Sequence, residues 1–415
     1  LFFPDRTPHS GAKQMKNCYR PVRCRKIADN RYQFFNHNYF ENAALSVKYT
    51  YFTNGIETYS STFDVNIAPQ SSQEYEIDSL ELEKDNHNSV VFEYLAGDFL
   101  IASEQIILSE GKLSADINSD GKTTVKPSEN KLFITFDNGS MIFDKSTGFI
   151  TSYIYKNHEM INSFPLGDFK GFAPAFYRAP LDNDRNICKY WHTMGLQNTS
   201  NICKGSNFTG NGDNIVVTTN IKSIANCILP VANTQIKYTI YPNGNILVDV
   251  NCLGGGAVKL LPRFGVMLEM PKEYENIKYF GLGEDVNLPD YKEHTINKVY
   301  QTTVDKLKED YIKPQESATR CDVRFAEITN ASGFGLRFEA VSKPFVFSAS
   351  HYTSNQWAKA MHRDDLVDLP TTCVNIDSSV LGAGSNACGP LPDKKDRVGS
   401  LSGKKLSFVV KPIGE

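Results

Sequence analysis

The chain of 415 residues has no apolar run long enough to cross a membrane, only two tryptophans and no excess of basic residues. A membrane-spanning helix needs about 18 or more apolar residues in a row, so we expect no membrane partner. The 44 Lys and Arg residues stand against 47 Asp and Glu residues, which gives a net charge of −3. This balance leaves no overall positive field, and nucleic acid is therefore excluded as the expected main partner.

Several motifs of catalysis and metal binding are also missing. The nine cysteines and eight histidines include no Cys-x-x-Cys pair and no His-x-x-x-His pair, so we expect no structural metal and no cofactor bound by this chain. The sequence contains no Gly-x-Ser-x-Gly elbow and no phosphate-binding loop, which excludes the enzymes built on them. The odd number and scatter of the cysteines favour a reducing compartment, and we expect a cytoplasmic protein.

What is present is a long series of short, Phe- and Tyr-rich segments typical of strands. Those within residues 27–108 predict an immunoglobulin-like β-sandwich. The polar residues 109–130 predict a linker, and residues 131–415 predict one large antiparallel β-sandwich. The sequence therefore predicts an all-β protein of two domains.

Local signals support these elements. The pairs Asn54-Gly55, Asn138-Gly139 and Asn243-Gly244 each separate two strand-like runs, and each predicts a hairpin turn. Thr353 and Gln356 have the spacing of a capping box, which predicts a short helix over residues 357–361.

Residues 1–26 precede the predicted sandwich. The chain opens on Leu1 rather than Met, and we expect it to be cut from something longer. Residues 13–26 contain six basic residues and no acidic one. They are open to two interpretations: a solvated connecting tail, or a segment that binds nucleic acid or phosphate.

Two groups of acidic residues could carry chemistry. Residues 116–121 (Asp-Ile-Asn-Ser-Asp-Gly) match the first half of a calcium loop, but the twelfth position is Pro127, so an ordinary turn is the alternative. Asp182 and Asp184, like the adjacent Glu284 and Asp285, could serve as acid and base. The alternative is a loop whose carboxylates pair with Arg178 or Arg185.

Four motifs together resemble the large β-galactosidases of glycoside hydrolase family 2. They are residues 4–9 (Pro-Asp-Arg-Thr-Pro-His), 178–184 (Arg-Ala-Pro-Leu-Asp-Asn-Asp), 311–316 (Tyr-Ile-Lys-Pro-Gln-Glu) and 375–377 (Asn-Ile-Asp), the last together with 382–384 (Gly-Ala-Gly) and 388–390 (Cys-Gly-Pro). The resemblance covers the C-terminal portion of that family, or the small subunit of its two-chain members. It implies a tail after the absent catalytic barrel, an immunoglobulin-like domain, and a terminal sandwich of the galactose-mutarotase-like type.

The resemblance also implies hydrolysis of terminal β-D-galactosides such as lactose, with retention, by two glutamates on a (β/α)₈ barrel. In that family the acid/base Glu follows an Asn, and this sequence contains no Asn-Glu dipeptide. We therefore expect no catalytic residue here and no activity of the isolated chain. The implied partners are the barrel portion, in the same chain or as a large subunit, and a β-galactoside. The complete enzyme is expected to be an oligomer, with Mg and Na as possible cofactors.

Family members close one wall of the galactoside pocket with a loop of the terminal domain. The corresponding residues are Cys373, Asn375 and Asp377, of which Cys373 stands where some members place an aromatic residue. Cys373 could thus face the sugar, or it could be a small buried residue. The other motif positions are expected to be structural: Arg6, His9, Arg178, Asp182, Asn183, Asp184, Glu316 and Arg324.

A second reading is a free-standing carbohydrate-binding or aldose-epimerase-like protein. Such an enzyme needs a His and a carboxylate that face one cleft, and His351 with Glu316 is the candidate pair.

Overall fold

The computed structural model describes residues 2–113, 115, 117, 120–161, 171–385 and 387–414. Strands predominate among these residues, so the all-β prediction is confirmed. The helices are α1 (Ser10–Cys18), α2 (Ile187–Met194), α3 (Val304–Leu307) and α4 (Ser354–Lys359). The strands are β1 (Val22–Lys26), β2 (Arg31–Asn36), β3 (Ala43–Thr53), β4 (Ile56–Ile67), β5 (Ser72–Glu76), β6 (Asn88–Ala96), β7 (Phe99–Ser109), β8 (Thr124–Pro127), β9 (Lys131–Phe136), β10 (Gly139–Asp144), β11 (Phe149–Tyr155), β12 (His158–Glu159), β13 (Ala173–Ala175), β14 (Thr199–Thr209), β15 (Ile215–Ala225), β16 (Leu229–Ile240), β17 (Ile246–Gly255), β18 (Arg263–Pro271), β19 (Asn276–Gly283), β20 (Ile296–Thr303), β21 (Arg320–Val323), β22 (Phe325–Thr329), β23 (Gly335–Ala340), β24 (Phe345–Ser350), β25 (Thr371–Val380) and β26 (Lys405–Ile413).

The chain divides into two compact units. The first unit comprises Leu1–Lys112, Phe280–Asp285 and Tyr291–Tyr300. The second unit comprises Leu113–Tyr279, Val286–Asp290 and Gln301–Glu415. The division after residue 112 falls inside the stretch 109–130 that the sequence predicts as a linker, and this stretch also contains β8.

The first unit has two antiparallel sheets, with strand orders β1-β2-β5 and β4-β3-β6-β7. Alternate residues of these strands point inward, and they form a core rich in aromatic rings. Phe34, which is fully buried, packs edge to face against Phe92 with ring centroids 5.3 Å apart. Edge-to-face pairs of this kind stabilise a core beyond the area they bury.

The structure differs from the sequence prediction at residues 1–26, which are not a solvated tail. They form α1 and β1, and β1 pairs with β2 in the first unit. Arg20 is buried and lies 3.1 Å from Glu104 and 3.3 Å from Glu293, and Lys13 pairs with Asp285 at 2.7 Å. The acidic partners of these basic residues are therefore distant in sequence, and the local charge pattern could not predict them.

The second unit contains three sheets. Their strand orders are β12-β11-β10-β9-β8, β13-β18-β25-β24-β21 and β14-β15-β16-β17-β26-β23-β22-β19-β20. The first packs on the nine-stranded sheet, where the Phe143 and Tyr238 rings lie 6.0 Å apart. The second, hereafter the five-stranded site sheet, holds the predicted Asn-Ile-Asp motif on β25.

The predicted turns and the capping box are confirmed. Asn54 and Gly55 connect β3 to β4 with φ angles of 49° and 76°, which Asn and Gly adopt most readily. The Thr353 hydroxyl accepts a hydrogen bond from the Gln356 backbone N–H at 3.2 Å, and the Gln356 side chain accepts one from the Thr353 N–H at 2.9 Å. The helix that follows begins at Ser354, three residues earlier than predicted, because the cap at Thr353 sets its start.

Candidate functional site

Strand β25 carries the three predicted substrate-binding residues on one face of the site sheet. Side chains alternate along a strand, so Cys373, Asn375 and Asp377 point one way and Val374 and Ile376 point the other. The two apolar residues are completely buried, which marks their face as the core face. The opposite face is therefore the one available for a site.

Neighbouring strands complete this polar face. On β18, Met267 lies opposite Asn375 and Glu269 lies opposite Cys373. On β24, Ser348 lies opposite Asn375 and Ser350 lies opposite Cys373. Residues directly opposite each other in a sheet share a face. The Cys373 thiol is therefore surrounded by a carboxyl group (Glu269), an amide (Asn375) and the hydroxyls of two serines.

The face opens into a narrow recess, hereafter the β25 cleft. Its lining comprises Met267, Glu316, Ala318, Ser348, Ser350, Tyr352, Thr353, Ser354, Trp357, Cys373 and Asn375. The cavity volume is about 20 Å³, and an adjoining recess of about 50 Å³ shares Met267, Thr353, Ser354 and Asn375 with it. One water molecule needs about 10–15 Å³ by this measure, so the second unit by itself has a wall with water-sized hollows there.

The cleft contains polar atoms that form hydrogen bonds within the chain and one fully buried acceptor that does not. The Ser350 hydroxyl accepts hydrogen bonds from the Trp357 indole at 3.1 Å and from the Tyr352 N–H at 3.0 Å. Within the described residues, Asn375 Oδ1 is buried without a hydrogen-bond partner. A buried acceptor of this kind gains free energy from any donor that enters the cleft, such as a water or a sugar hydroxyl.

The sequence left open whether Cys373 lines the sugar site or is a small buried residue, and the structure shows it to be buried at the edge of the cleft. It is 2 % exposed and packs with Ala175 and Met267, yet it lines the cleft. Burial, together with the charge of Glu269, raises the pKa of the Cys373 thiol. The protonated thiol is a poor nucleophile, so the residue can contribute shape but not covalent chemistry.

Asp377, two residues after Asn375 on β25, does not line the cleft. It is completely buried, with its Oδ2 3.3 Å from Nε of the equally buried Arg263. Burial raises the pKa of the Asp377 carboxyl to about 7; Arg263 opposes this shift and Glu316 adds to it. Gly265 lies opposite Asp377, and a Cβ there would stand 2.2 Å from Asp377 Oδ1, so the glycine makes room for the carboxylate.

The motif at residues 178–184 forms a buried clamp. Arg178 Nη1 donates to Asp184 Oδ2 at 2.6 Å, and the same oxygen accepts the Leu181 N–H at 2.8 Å. Arg178 also packs against the Trp191 ring, 5.6 Å from its centroid. Asp182 is exposed, so the structure does not bring Asp182 and Asp184 together as an acid and base pair.

Asn183 and Glu316 connect loops of the second unit. Asn183 Nδ2 donates to the Gly384 carbonyl at 2.6 Å. Glu316 Oε1 accepts from the Thr319 hydroxyl at 3.1 Å and lies at the cleft. Arg324 is buried, and its carbonyl accepts the Ala340 N–H at 2.9 Å.

Arg6 and His9 belong to the first unit. Arg6 is exposed, with a φ angle of 72° in the turn before α1. His9 lies directly before α1, its ring 3.9 Å from the ring of Phe3.

His351 does not line the cleft, whereas Glu316 does. Its Nδ1 lies 3.3 Å from the Thr372 hydroxyl, and Thr372 points away from the face of Cys373 and the cleft. The pair that an epimerase-like mechanism would need is therefore not assembled around the cleft.

Sequence reasoning missed Arg263, Met267, Ser348, Ser350 and Trp357. Arg263 had a usable signal, since it is a charged residue at the start of a strand that is apolar apart from Glu269, and a buried arginine needs a partner. The two serines and Met267 had none, because only the pairing of β18, β24 and β25 brings them to Asn375.

No group of three or more His, Cys, Asp or Glu residues suited to a metal ion occurs among the described residues. Asp116, Asn118 and Ser119 of the predicted calcium loop lie outside the described residues. No helix in the described part of the chain is long and apolar enough to span a membrane.

This chain is similar to several known proteins. A family described as β-galactosidase small chain matches residues 135–410. A β-galactosidase of Actinobacillus pleuropneumoniae is 30 % identical over 408 residues, 94 % of this chain and 39 % of that protein. One of Staphylococcus xylosus is 24 % identical over 407 residues, 94 % of this chain and 40 % of that protein. A galactose 1-epimerase structure from Lactobacillus acidophilus has 9 % identity and a TM-score of 0.43, over 71 % of this chain and all of that one.

The chain spans about two fifths of the length of these curated relatives. The family match includes all of β18, β24 and β25, and hence the β25 cleft. This chain belongs to the β-galactosidase small chain family.

Proposed function

We propose that this chain is the C-terminal part, or the separate small subunit, of a glycoside hydrolase family 2 enzyme that hydrolyses terminal β-D-galactosides such as lactose with retention. The observation that carries the proposal is the family match over residues 135–410. The relatives are named β-galactosidase, and about three fifths of their length has no counterpart in this chain. We place the catalytic barrel and both glutamates in that missing portion, with this chain as its scaffold.

In this proposal the β25 cleft forms one wall of the galactoside pocket. A recess of about 20 Å³ is too small for a hexose, so a sugar can be enclosed only when a second surface covers the cleft. The buried, unpartnered Oδ1 of Asn375 is suited to accept a sugar hydroxyl there. Cys373 offers little area for stacking, so it would contribute less contact with a sugar ring than an aromatic residue at the same position would.

The remaining expectations concern the complete enzyme. We expect a cytoplasmic oligomer, and the nine free cysteines agree with a reducing compartment. Mg or Na, if the complete enzyme uses them, would be held mainly by the barrel portion, because the described residues offer no cluster of acidic and His ligands.

The coding sequence upstream of residue 1 tests the proposal. We expect the same reading frame, or a neighbouring gene, to encode a (β/α)₈ barrel in which a Glu follows an Asn. A start codon with no barrel gene beside it would contradict an enzyme made of two portions.

A variant of the assembled enzyme tests the role of the cleft. We expect Asn375→Ala to raise KM for a nitrophenyl β-galactoside by about tenfold, since one hydrogen bond to the sugar is lost. Asn355→Ala is the matched control, because Asn355 lines only the adjoining recess and its amide already donates to the Gln197 carbonyl at 2.9 Å. Equal KM values for both variants would remove Asn375 from the sugar site.

A further inference from the structure

A second concave surface lies on the nine-stranded sheet and shares no lining residue with the β25 cleft. Its cavity volume is about 560 Å³, within the range of small-molecule sites. Its lining comprises Gln235, Lys237, Asp249, Val250, Asn251, Ser342, Lys343, Gly403, Lys404, Lys405, Leu406 and Ser407. We call it the lysine groove.

Strand pairing explains how the groove is built. Lys237 lies opposite Asp249, which lies opposite Ser407, so these three side chains form one row across β16, β17 and β26. The next row is Gln235, Asn251 and Lys405 in the same order. The residues between the rows, Ile236, Val250 and Leu406 among them, are buried in the core. The sheet therefore presents a polar floor of amides, hydroxyls and ammonium groups.

The groove has an uncompensated positive charge. Four lysines and one aspartate line it, which gives a formal charge of +3. Within the described residues none of these lysines forms an ion pair, and the one carboxylate already accepts the Ser407 hydroxyl at 2.7 Å. Elsewhere on the same sheet Lys411 pairs with Glu339 at 2.6 Å, and Arg337 pairs with Glu327 and Glu339. The lack of compensation is thus a property of the groove and not of the whole sheet.

Two of the lysines are held in place. Lys404 is half-buried and donates to the Val398 carbonyl, and Lys343 Nζ donates to the Ser378 hydroxyl at 3.3 Å. Burial and the nearby Lys343 lower the pKa of Lys404. An anion bound in the groove would oppose this lowering of the pKa, because a nearby negative charge favours the charged form of an ammonium group.

We propose that the lysine groove binds a phosphate group, either as free phosphate or on a sugar phosphate. Ammonium groups with amide and hydroxyl donors suit an oxyanion and its polar substituents. None of the described lining residues is aromatic, so the groove has no platform for a nucleobase or for the face of a neutral sugar. The site is separate from the β25 cleft and does not depend on the function proposed above.

Calorimetric titration of the full chain tests the proposal with inorganic phosphate, a hexose 6-phosphate and the neutral hexose. We expect saturable binding of one or both phosphates with a dissociation constant of about 1 mM or lower, weakened by added salt. Tighter binding of the hexose 6-phosphate would identify the sugar phosphate as the ligand, and equal or tighter binding of phosphate would identify the free ion. Neutral hexose that binds as well as either phosphate would overturn the proposal.

Variants locate the site. Lys237→Ala and Lys343→Ala are exposed changes that the fold tolerates, and each should weaken phosphate binding by about tenfold. Lys189→Ala on α2 is the matched control, because it removes the same charge from an exposed position outside the groove and should leave binding unchanged. No saturation by about 10 mM phosphate, or an equal loss in the control, would overturn the proposal.

Discussion

Among its described residues, the second unit contains two completely buried arginine–aspartate pairs, and they differ in how well the carboxylate is satisfied. In the first pair, Asp184 Oδ2 accepts Arg178 Nη1 at 2.6 Å and a backbone N–H at 2.8 Å. In the second pair, Arg263 Nε is 3.3 Å from Asp377, and neither carboxylate oxygen has a hydrogen-bond partner among the described residues. Equal burial therefore does not mean equal compensation of charge.

The origin of each pair explains the difference. Arg178 and Asp184 are six residues apart in one connecting loop, so the local backbone can place the carboxylate next to its hydrogen-bond donors. Arg263 and Asp377 lie on neighbouring strands, and the ladder between β18 and β25 sets their positions. We conclude that the first pair holds the loop before α2, whereas the second keeps a titratable group under the β25 cleft.

The largest expected effect is the loss of the satisfied pair. Asp184→Asn keeps the size of the side chain but leaves the Arg178 guanidinium buried without a counter-charge, which should lower the free energy of unfolding by about 3–5 kcal/mol. Urea titration followed by tryptophan fluorescence measures it, since both tryptophans, Trp191 and Trp357, lie in the second unit. The exposed Asp182→Asn should change stability by no more than about 0.5 kcal/mol. Similar losses in both variants would show that the pair is not a clamp.

The second effect is a pH dependence from Asp377. Its folded pKa of about 7 is above the ordinary 3.8, so between these values the folded state holds a proton that the unfolded state has released. The contribution of Asp377 to the free energy of unfolding is then largest below about pH 4 and falls as pH rises towards 7, by up to about 1.4 kcal/mol per pH unit. The difference in unfolding free energy between Asp377→Asn and the unmodified chain should therefore increase from pH 5 to pH 8. A flat difference would mean that Asp377 is ionised throughout this range.

The third and smallest effect concerns the space beside Asp377. An added Cβ at Gly265 would stand 2.2 Å from Asp377 Oδ1 and 2.3 Å from the Ile376 carbonyl. We expect Gly265→Ala to cost about 1–3 kcal/mol by overpacking. Combining it with Asp377→Ala should recover part of the loss, and a fully additive double variant would show that the backbone of Ile376 and Asp377 alone causes the clash.

The same contrast between local and distant partners decides what the sequence could predict. The turns at Asn54-Gly55 and the cap at Thr353 depend on neighbours within three residues, and both were predictable. The Arg20 contacts with Glu104 and Glu293 and the Arg263 contact with Asp377 join distant residues, and no periodicity indicates them. The family resemblance predicted Cys373 and Asn375 as site residues, whereas the serines opposite them could be identified only from the strand register. The phosphate site proposed here likewise depends on a register that joins β16, β17 and β26.

In the function proposed above, this chain contributes a wall and a scaffold but no catalytic carboxylates. Hydrolysis of a nitrophenyl β-galactoside by the purified chain, with no other portion of the enzyme added, is the decisive assay. We expect no release of nitrophenol above the uncatalysed rate at any pH from 5 to 8, the window in which Asp377 titrates. Turnover that saturates with substrate and follows the concentration of the pure chain would contradict it.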